Sequence, residues 1–146
     1  MRPASIFATA EAAEEAFYDA MQRGDLAAMM SLWADDDEAV CIHPGGSRLT
    51  GLRAIRESYE TIFATGGMDI RPSHVRVVVG ASLEVRTLVE RILVTEGGET
   101  RVIECVATNV FVKSALGWRI LLHHGGPGLT SASTPRPSTP PDGHLH

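Results

Sequence analysis

The chain has 146 residues, thirteen Lys and Arg against eighteen Asp and Glu, a formal charge of −5, and 44% hydrophobic and 21% charged residues. This size and composition predict one globular domain and exclude a wholly disordered chain, and no apolar run approaches the ~20 residues that span a bilayer. The acidic balance, with a pI near 5.6, offers no basic field for a phosphate backbone, so neither nucleic acid nor a membrane is an expected partner.

The N-terminus lacks the long apolar segment of a signal peptide, which predicts a cytoplasmic protein. Residues 1–8 read as an extension. From about Thr9 to Trp33 the spacing is helical, with Ala13, Ala16, Phe17, Ala20 and Met21 on one stripe. Gly24-Asp25 interrupts it: glycine can close one helix and aspartate can cap the next, whose apolar positions are Leu26, Met29, Met30 and Trp33. The four adjacent carboxylates Asp35 to Glu38 repel one another and read as a solvated turn rather than a metal site. Ala39 to His43 is a short strand ended by Pro44-Gly45-Gly46. A third helix follows Thr50, with Leu52, Ile55, Tyr59, Ile62 and Phe63 on one face and Gly66-Gly67 at its end.

From Met68 the period changes to 2, with strands near 69–79, 83–95, 101–113 and 118–124. Their short connections join antiparallel neighbours. The fold class is therefore α+β, with three N-terminal helices on a curved, mainly antiparallel sheet, and helices in the hollow of such a sheet enclose a cavity. The domain is expected over 9–128, and 129–146, rich in Pro, Ser and Thr, is expected to be a disordered tail. Cys41 and Cys105 lie in apolar strand-like stretches and read as buried thiols.

Alternation assigns faces to the strands. On 101–113 one face carries Cys105, Ala107, Asn109 and Phe111, and the other Val102, Val106, Val110 and Val112. Both are largely apolar, although the second also carries Glu104 and Thr108, which predicts helices on one side and a second copy of the chain on the other. On the last strand Trp118, Ile120, Leu122 and His124 share one face, and Arg119, Leu121 and His123 the opposite one. In the strand 83–95 either Glu90 or Arg91 faces inward, and the flanking residues do not decide which. His43, Asn109 and His123 form the candidate inward cluster: an imidazole exchanges a proton near neutral pH, and an amide orients a substrate oxygen. Nucleotide-loop, nucleophile-elbow and zinc-helix motifs are absent, so no metal or cofactor is expected.

The order and spacing of Gly24-Asp25-Leu26, Leu32-Trp33-Ala34-Asp35-Asp36, Ile42-His43-Pro44-Gly45, Thr50-Gly51-Leu52-Arg53 and Gly117-Trp118-Arg119-Ile120 resemble the nuclear transport factor 2-like superfamily. The closing strand is similar to those of SnoaL-like proteins and the calcium/calmodulin-dependent protein kinase II association domain. The resemblance implies a cone-shaped, cystatin-like α+β roll with a pocket between helices and sheet. It sets His43 where steroid isomerases of this fold hold a catalytic carboxylate, sets Asn109 and His123 on pocket-lining faces, and turns Glu90 inward. It also sets Phe17 at the isomerases' helical tyrosine, with Tyr18 turned away by about 100°. Histidine for carboxylate and phenylalanine for tyrosine remove the steroid isomerase constellation.

These readings give a homodimer that binds a small apolar or polyketide-like molecule, with Trp33, Tyr59 and Phe63 as walls and Glu90 and Asn109 as further ligand contacts. If the chain is an enzyme, the chemistry is cofactor-independent proton transfer of isomerase or lyase type, with His43 or His123 as base and Asn109 at a developing oxyanion. The rival reading is an interaction module that assembles through the outer sheet face, including Val106, Val110, Trp118 and Ile120.

Overall fold

The computed structural model describes residues 6–131. Helix α1 (Ala10–Arg23) starts where the Thr9 side chain accepts the Ala12 amide hydrogen and ends where Gly24 turns left-handed at φ 65°. Its buried stripe includes Phe17, Tyr18, Ala20 and Met21. Each fully buried large apolar side chain contributes about 1.5–3 kcal/mol. Helix α2 (Leu26–Ser31) is capped by Asp25 and stops two residues before Trp33. There Ile120 donates its amide hydrogen to Leu32 and accepts that of Ala34. Trp33 thus runs extended beside the last strand, not on the helix that its spacing predicts.

Strand β1 (Val40–Ile42) is followed by β2 (Arg48–Thr50), which the sequence reading missed, because three residues are too few to show alternation. Helix α3 (Leu52–Ile62) buries Ile55 and Tyr59, and a single 3₁₀ turn, Phe63–Thr65, closes it. The glycines after it serve a close approach. A Cβ on Gly67 would lie 1.9 Å from the Gln22 carbonyl oxygen, and one on Gly24 would lie 2.8 Å from the Gly66 carbonyl carbon. This contact lets Met68 donate its amide hydrogen to the Met21 carbonyl over 3.0 Å, clamping the end of α1 to the start of the sheet.

Strands β3 (Asp69–Val79), β4 (Leu83–Glu96), β5 (Glu99–Ser114) and β6 (Gly117–Ser131) form an antiparallel meander. The sheet has six strands in the order β2-β1-β6-β5-β4-β3, with β1 parallel to β6 and every other pair antiparallel. With three helices against a mixed, mainly antiparallel sheet, this is the α+β class that the periodicity predicts. No helix among the described residues is long and apolar enough to cross a membrane.

Two details of β6 correct the sequence reading. The strand passes its expected end at 124 and reaches Ser131, with Pro127 opposite Cys105. The pairing is irregular there, between Ile103 and Cys105, and an irregular site tolerates a residue without an amide hydrogen. The remainder of the expected tail, 132–146, and residues 1–5 lie outside the described residues. The second detail is a bulge: Phe111 pairs with Ile120 and Val110 with Leu122, so Leu121 has no opposite number. The extra residue resets the alternation. Ile120 (0% exposed) and His123 (2%) therefore both face the helices, and Trp118 (9%) is buried with them. Trp118 and Ile120 are core residues, not the outer-face residues that strict alternation predicts.

The outer face keeps an apolar row in register across five strands: Val78, Val85, Val110, Leu122 and Val40. Beside it Val106 is 53% exposed.

Candidate active site

A cavity of about 210 Å³ lies between the helices and the inner sheet face. Its apolar walls include Met21 from α1, Tyr59 and Ile62 from α3, Ile70 from β3 and Ile92 from β4, with Met68 from the glycine clamp. Pro44, at the end of β1, is exposed and lies at its edge. Two imidazoles and a carboxylate, His43, His123 and Glu90, line it with the Tyr59 hydroxyl.

Glu90 is 2% exposed, whereas Arg91 is exposed, which decides the alternative that sequence left open. The Tyr18 hydroxyl donates to Glu90 Oε2 over 2.6 Å. Burial raises the Glu90 pKa above the usual carboxylate range, the Glu14 charge adds to this, and the Tyr18 hydrogen bond opposes it. Tyr18 itself is held far above the ordinary phenol range, first by burial and then by Glu90. It is 2% exposed and lies edge-on to Phe17, with ring centroids 5.0 Å apart. Tyr18 is thus not turned away: α1 is covered on two sides, so both Phe17 and Tyr18 are interior.

Behind the cavity runs a directed hydrogen-bond network. Asn109, fully buried, donates from Nδ2 to Glu14 Oε2 at 2.9 Å and to the Tyr18 hydroxyl at 3.2 Å. Its Oδ1 therefore faces His123 Nδ1, 2.6 Å away. An amide oxygen only accepts, so His123 carries its hydrogen on Nδ1 and Nε2 is left as an acceptor. Burial, with smaller contributions from His43 and His124, pushes the His123 pKa down to about 3. Further out, Arg86 donates to Glu14 at 2.8 Å and to Glu84 at 2.7 Å.

His43 is half-buried, and burial lowers its pKa. Its Nε2 lies 3.0 Å from Ser58 Oγ, whose hydrogen goes to the Ile55 carbonyl over 2.7 Å. Nε2 must therefore be the donor, leaving Nδ1 as the acceptor nitrogen. The Tyr59 hydroxyl is partnered by Cys41 Sγ at 3.8 Å. Burial pushes the Cys41 thiol up to about 12, which makes it an inert core group.

The residues singled out from sequence thus separate. His43, Tyr59, Glu90 and His123 meet at the cavity. Asn109 stands one hydrogen bond behind His123, and both amide hydrogens are committed, so it offers none to an oxyanion. Phe63 is buried against the Tyr59 ring, centroids 5.5 Å apart, outside the lining. Trp33 lines a different hollow, of about 490 Å³, with Asp35, Val112, Leu116 and Arg119. Glu14, Tyr18 and Arg86 were missed, although spacing carried a signal. Glu14 and Tyr18 are four apart on one helix, and Glu84, Arg86 and Glu90 share the parity of one strand face.

A SnoaL-like domain model matches residues 10–129. No curated protein matches the chain. Among solved structures, a candidate calcium/calmodulin-dependent protein kinase type II association domain from Thiobacillus denitrificans is 37% identical. It superposes with a TM-score of 0.77, covering 88% of this chain and all (100%) of that one. A candidate dehydratase of the nuclear transport factor 2-like family from Streptomyces avermitilis is 32% identical, with a TM-score of 0.74 over 83% of this chain and 95% of that one. A ketosteroid isomerase-like protein from Erwinia carotovora atroseptica, 23% identical with a TM-score of 0.66 over 80% and 92% of the two chains, shares the fold. Family model, architecture and the two closer likenesses agree: the chain belongs to the SnoaL-like domain family of the nuclear transport factor 2-like superfamily.

Proposed function

We propose that the chain is a small-molecule-binding protein whose ligand occupies the cavity between Tyr59, Ile92, Glu90 and His123. The observation that carries this reading is an apolar cavity lined by the ionisable side chains of His43, Glu90 and His123. At least two are held in one orientation by hydrogen bonds to neighbours, Glu90 by Tyr18 and His123 by Asn109. Size narrows the ligand. An apolar cavity of about 150 Å³ admits one benzene, so 210 Å³ suits a single substituted ring or a short chain and is small for a polyketide.

Of the two buried groups Glu90 and His123, the one suited to accept a proton, if the bound molecule is also transformed, is Glu90. A general base works best with a pKa near the working pH, and the raised carboxylate lies nearer to it than His123, at about 3. Proton transfer of isomerase or lyase type remains the chemistry of this reading, with Glu90 in the role the sequence suggested for histidine. The dehydratase relative is consistent with it.

The functional unit in this reading is a homodimer. The row Val78, Val85, Val110, Leu122 and Val40, with exposed Val106 beside it, is an apolar surface that a second copy would cover. Saturation-transfer NMR with single-ring and short-chain compounds tests the binding reading. Contacts from one or more of them, lost when Ile92→Trp fills the cavity, support it, and no contact from any compound defeats it.

A further inference from the structure

The imidazoles and the carboxylate of the cavity share a property that the hydrogen-bond directions bring out: none has a free hydrogen to offer. His123 spends Nδ1–H on Asn109 and presents an acceptor at Nε2. His43 spends Nε2–H on Ser58. Glu90, as a carboxylate taking the Tyr18 hydrogen, can only accept. The Tyr59 hydroxyl pairs with Cys41 Sγ at 3.8 Å, a contact in which either group can be the donor. A ligand carbonyl or carboxylate would therefore meet only acceptors at His43, Glu90 and His123, and an acceptor left unsatisfied in an apolar enclosure is costly.

Charge narrows the class further. The buried network holds the carboxylates Glu14, Glu84 and Glu90 against one guanidinium, Arg86, and that guanidinium is taken by Glu14 and Glu84. Glu90 is left with a hydroxyl partner and no cation. A buried carboxylate in that position either takes up a proton or is neutralised by a cation brought to it. A primary ammonium supplies a positive charge and three donors, and the acceptors around the cavity include Glu90 and His123 Nε2, while His43 Nδ1 lies 4.0 Å from Cys41 Sγ.

We propose that the cavity ligand is a small apolar primary amine, bound as its ammonium with the charge on Glu90 and the hydrocarbon body among Met21, Ile70 and Ile92. The proposal rests on the binding reading above and adds the ligand's polar group. The test is a calorimetric titration, near neutral pH, with three molecules of one shape: cyclohexylamine, cyclohexanol and cyclohexanone. Cyclohexylammonium binds at least about 10-fold more tightly than cyclohexanol, because a hydrogen bond to a charged partner is stronger than a neutral one, and cyclohexanone binds weakest. Glu90→Gln, which keeps shape and removes charge, brings the amine to the level of the alcohol. If Glu90→Gln does not fold, the order of the three ligands on the wild-type protein still decides. Binding of the ketone or alcohol as tightly as the amine, or an amine affinity unchanged in folded Glu90→Gln, overturns the proposal and leaves the binding reading standing. Failure of all three to bind, in a protein that binds other ring compounds by saturation-transfer NMR, also overturns the proposal alone. Failure of every compound in both experiments ends both.

Discussion

The Tyr18 hydroxyl lies 2.6 Å from Glu90 Oε2 and donates to it, tying the first helix to the fourth strand at the back wall of the cavity. Tyr18→Phe removes the hydrogen but keeps the ring. The Glu90 carboxylate is then buried without this donor, which costs about 1–3 kcal/mol where the group is ionised. Urea denaturation at about pH 8 and about pH 4 separates this from a packing defect. The loss is larger at the higher pH, because the Tyr18 hydrogen bond holds the folded-state Glu90 pKa down and removing it makes ionising that buried carboxylate more costly.

The two buried groups at the cavity pull stability in opposite directions with pH. The His123 pKa is depressed to about 3, so its contribution is fully present above the unfolded value, about 6.5, and is lost as pH falls towards 3. The Glu90 pKa is raised, so its contribution is present below about pH 4.3 and is lost as pH rises through the folded value. Stability therefore falls on the acid side, below about pH 4.3, where only the His123 contribution changes, and above that the Glu90 loss opposes the His123 gain and flattens the profile. His123→Gln, which can still donate to Asn109, removes the acid-side fall, a change on the order of a few kcal/mol, while leaving the pH dependence above about pH 6.5 unchanged. Thermal denaturation across the pH range reads both limbs.

Trp33 Nε1 is buried and is the one such side-chain atom without a hydrogen-bond partner among the described residues. Trp33→Phe deletes this unsatisfied donor, which offsets part of the lost packing. The expected destabilisation is below about 2 kcal/mol, against roughly 3–5 kcal/mol for a Trp→Ala truncation. Because Trp33 lines another hollow, the same variant keeps wild-type ligand affinity in the calorimetric titration.

Val110 stands at the centre of the apolar row on the outer sheet face, between Val85 and Leu122. A charge at the centre of a covered apolar surface is strongly unfavourable. Val110→Glu is therefore expected to convert the proposed dimer to a monomer at micromolar concentration, as read by sedimentation. A variant that sediments with the wild type shows that this face is not the contact.

The parts of the fold that sequence made legible are those with a long uniform period: α1, α3 and the meander from Asp69 onward. The errors sit where one residue breaks a period or an element is too short to have one. Leu121, unpaired opposite Val110 and Phe111, moves Ile120 and His123 to the same side, and no alternation rule anticipates that. Glu90 could be placed only by the likeness to relatives, because its strand is mixed on both faces. The network behind the cavity joins residues 72 and 95 positions apart, Tyr18 with Glu90 and Glu14 with Asn109, and such pairs come from tertiary packing. His123 shows the limit most clearly. Its presence in the site was readable, but its acceptor role depends on an amide orientation that two hydrogen bonds determine.

The central claim is that this cavity binds its ligand through acceptors, with His123 neutral and Nε2 bare. Long-range proton–nitrogen NMR of the histidine rings, recorded near neutral pH with and without saturating cyclohexylamine, tests it directly. The account predicts that free His123 is the neutral tautomer protonated on Nδ1, and that its Nε2 resonance moves on addition of the amine while exposed His74 on β3 stays fixed. A His123 that is charged or protonated on Nε2, or one whose resonances do not move at saturation, would contradict it.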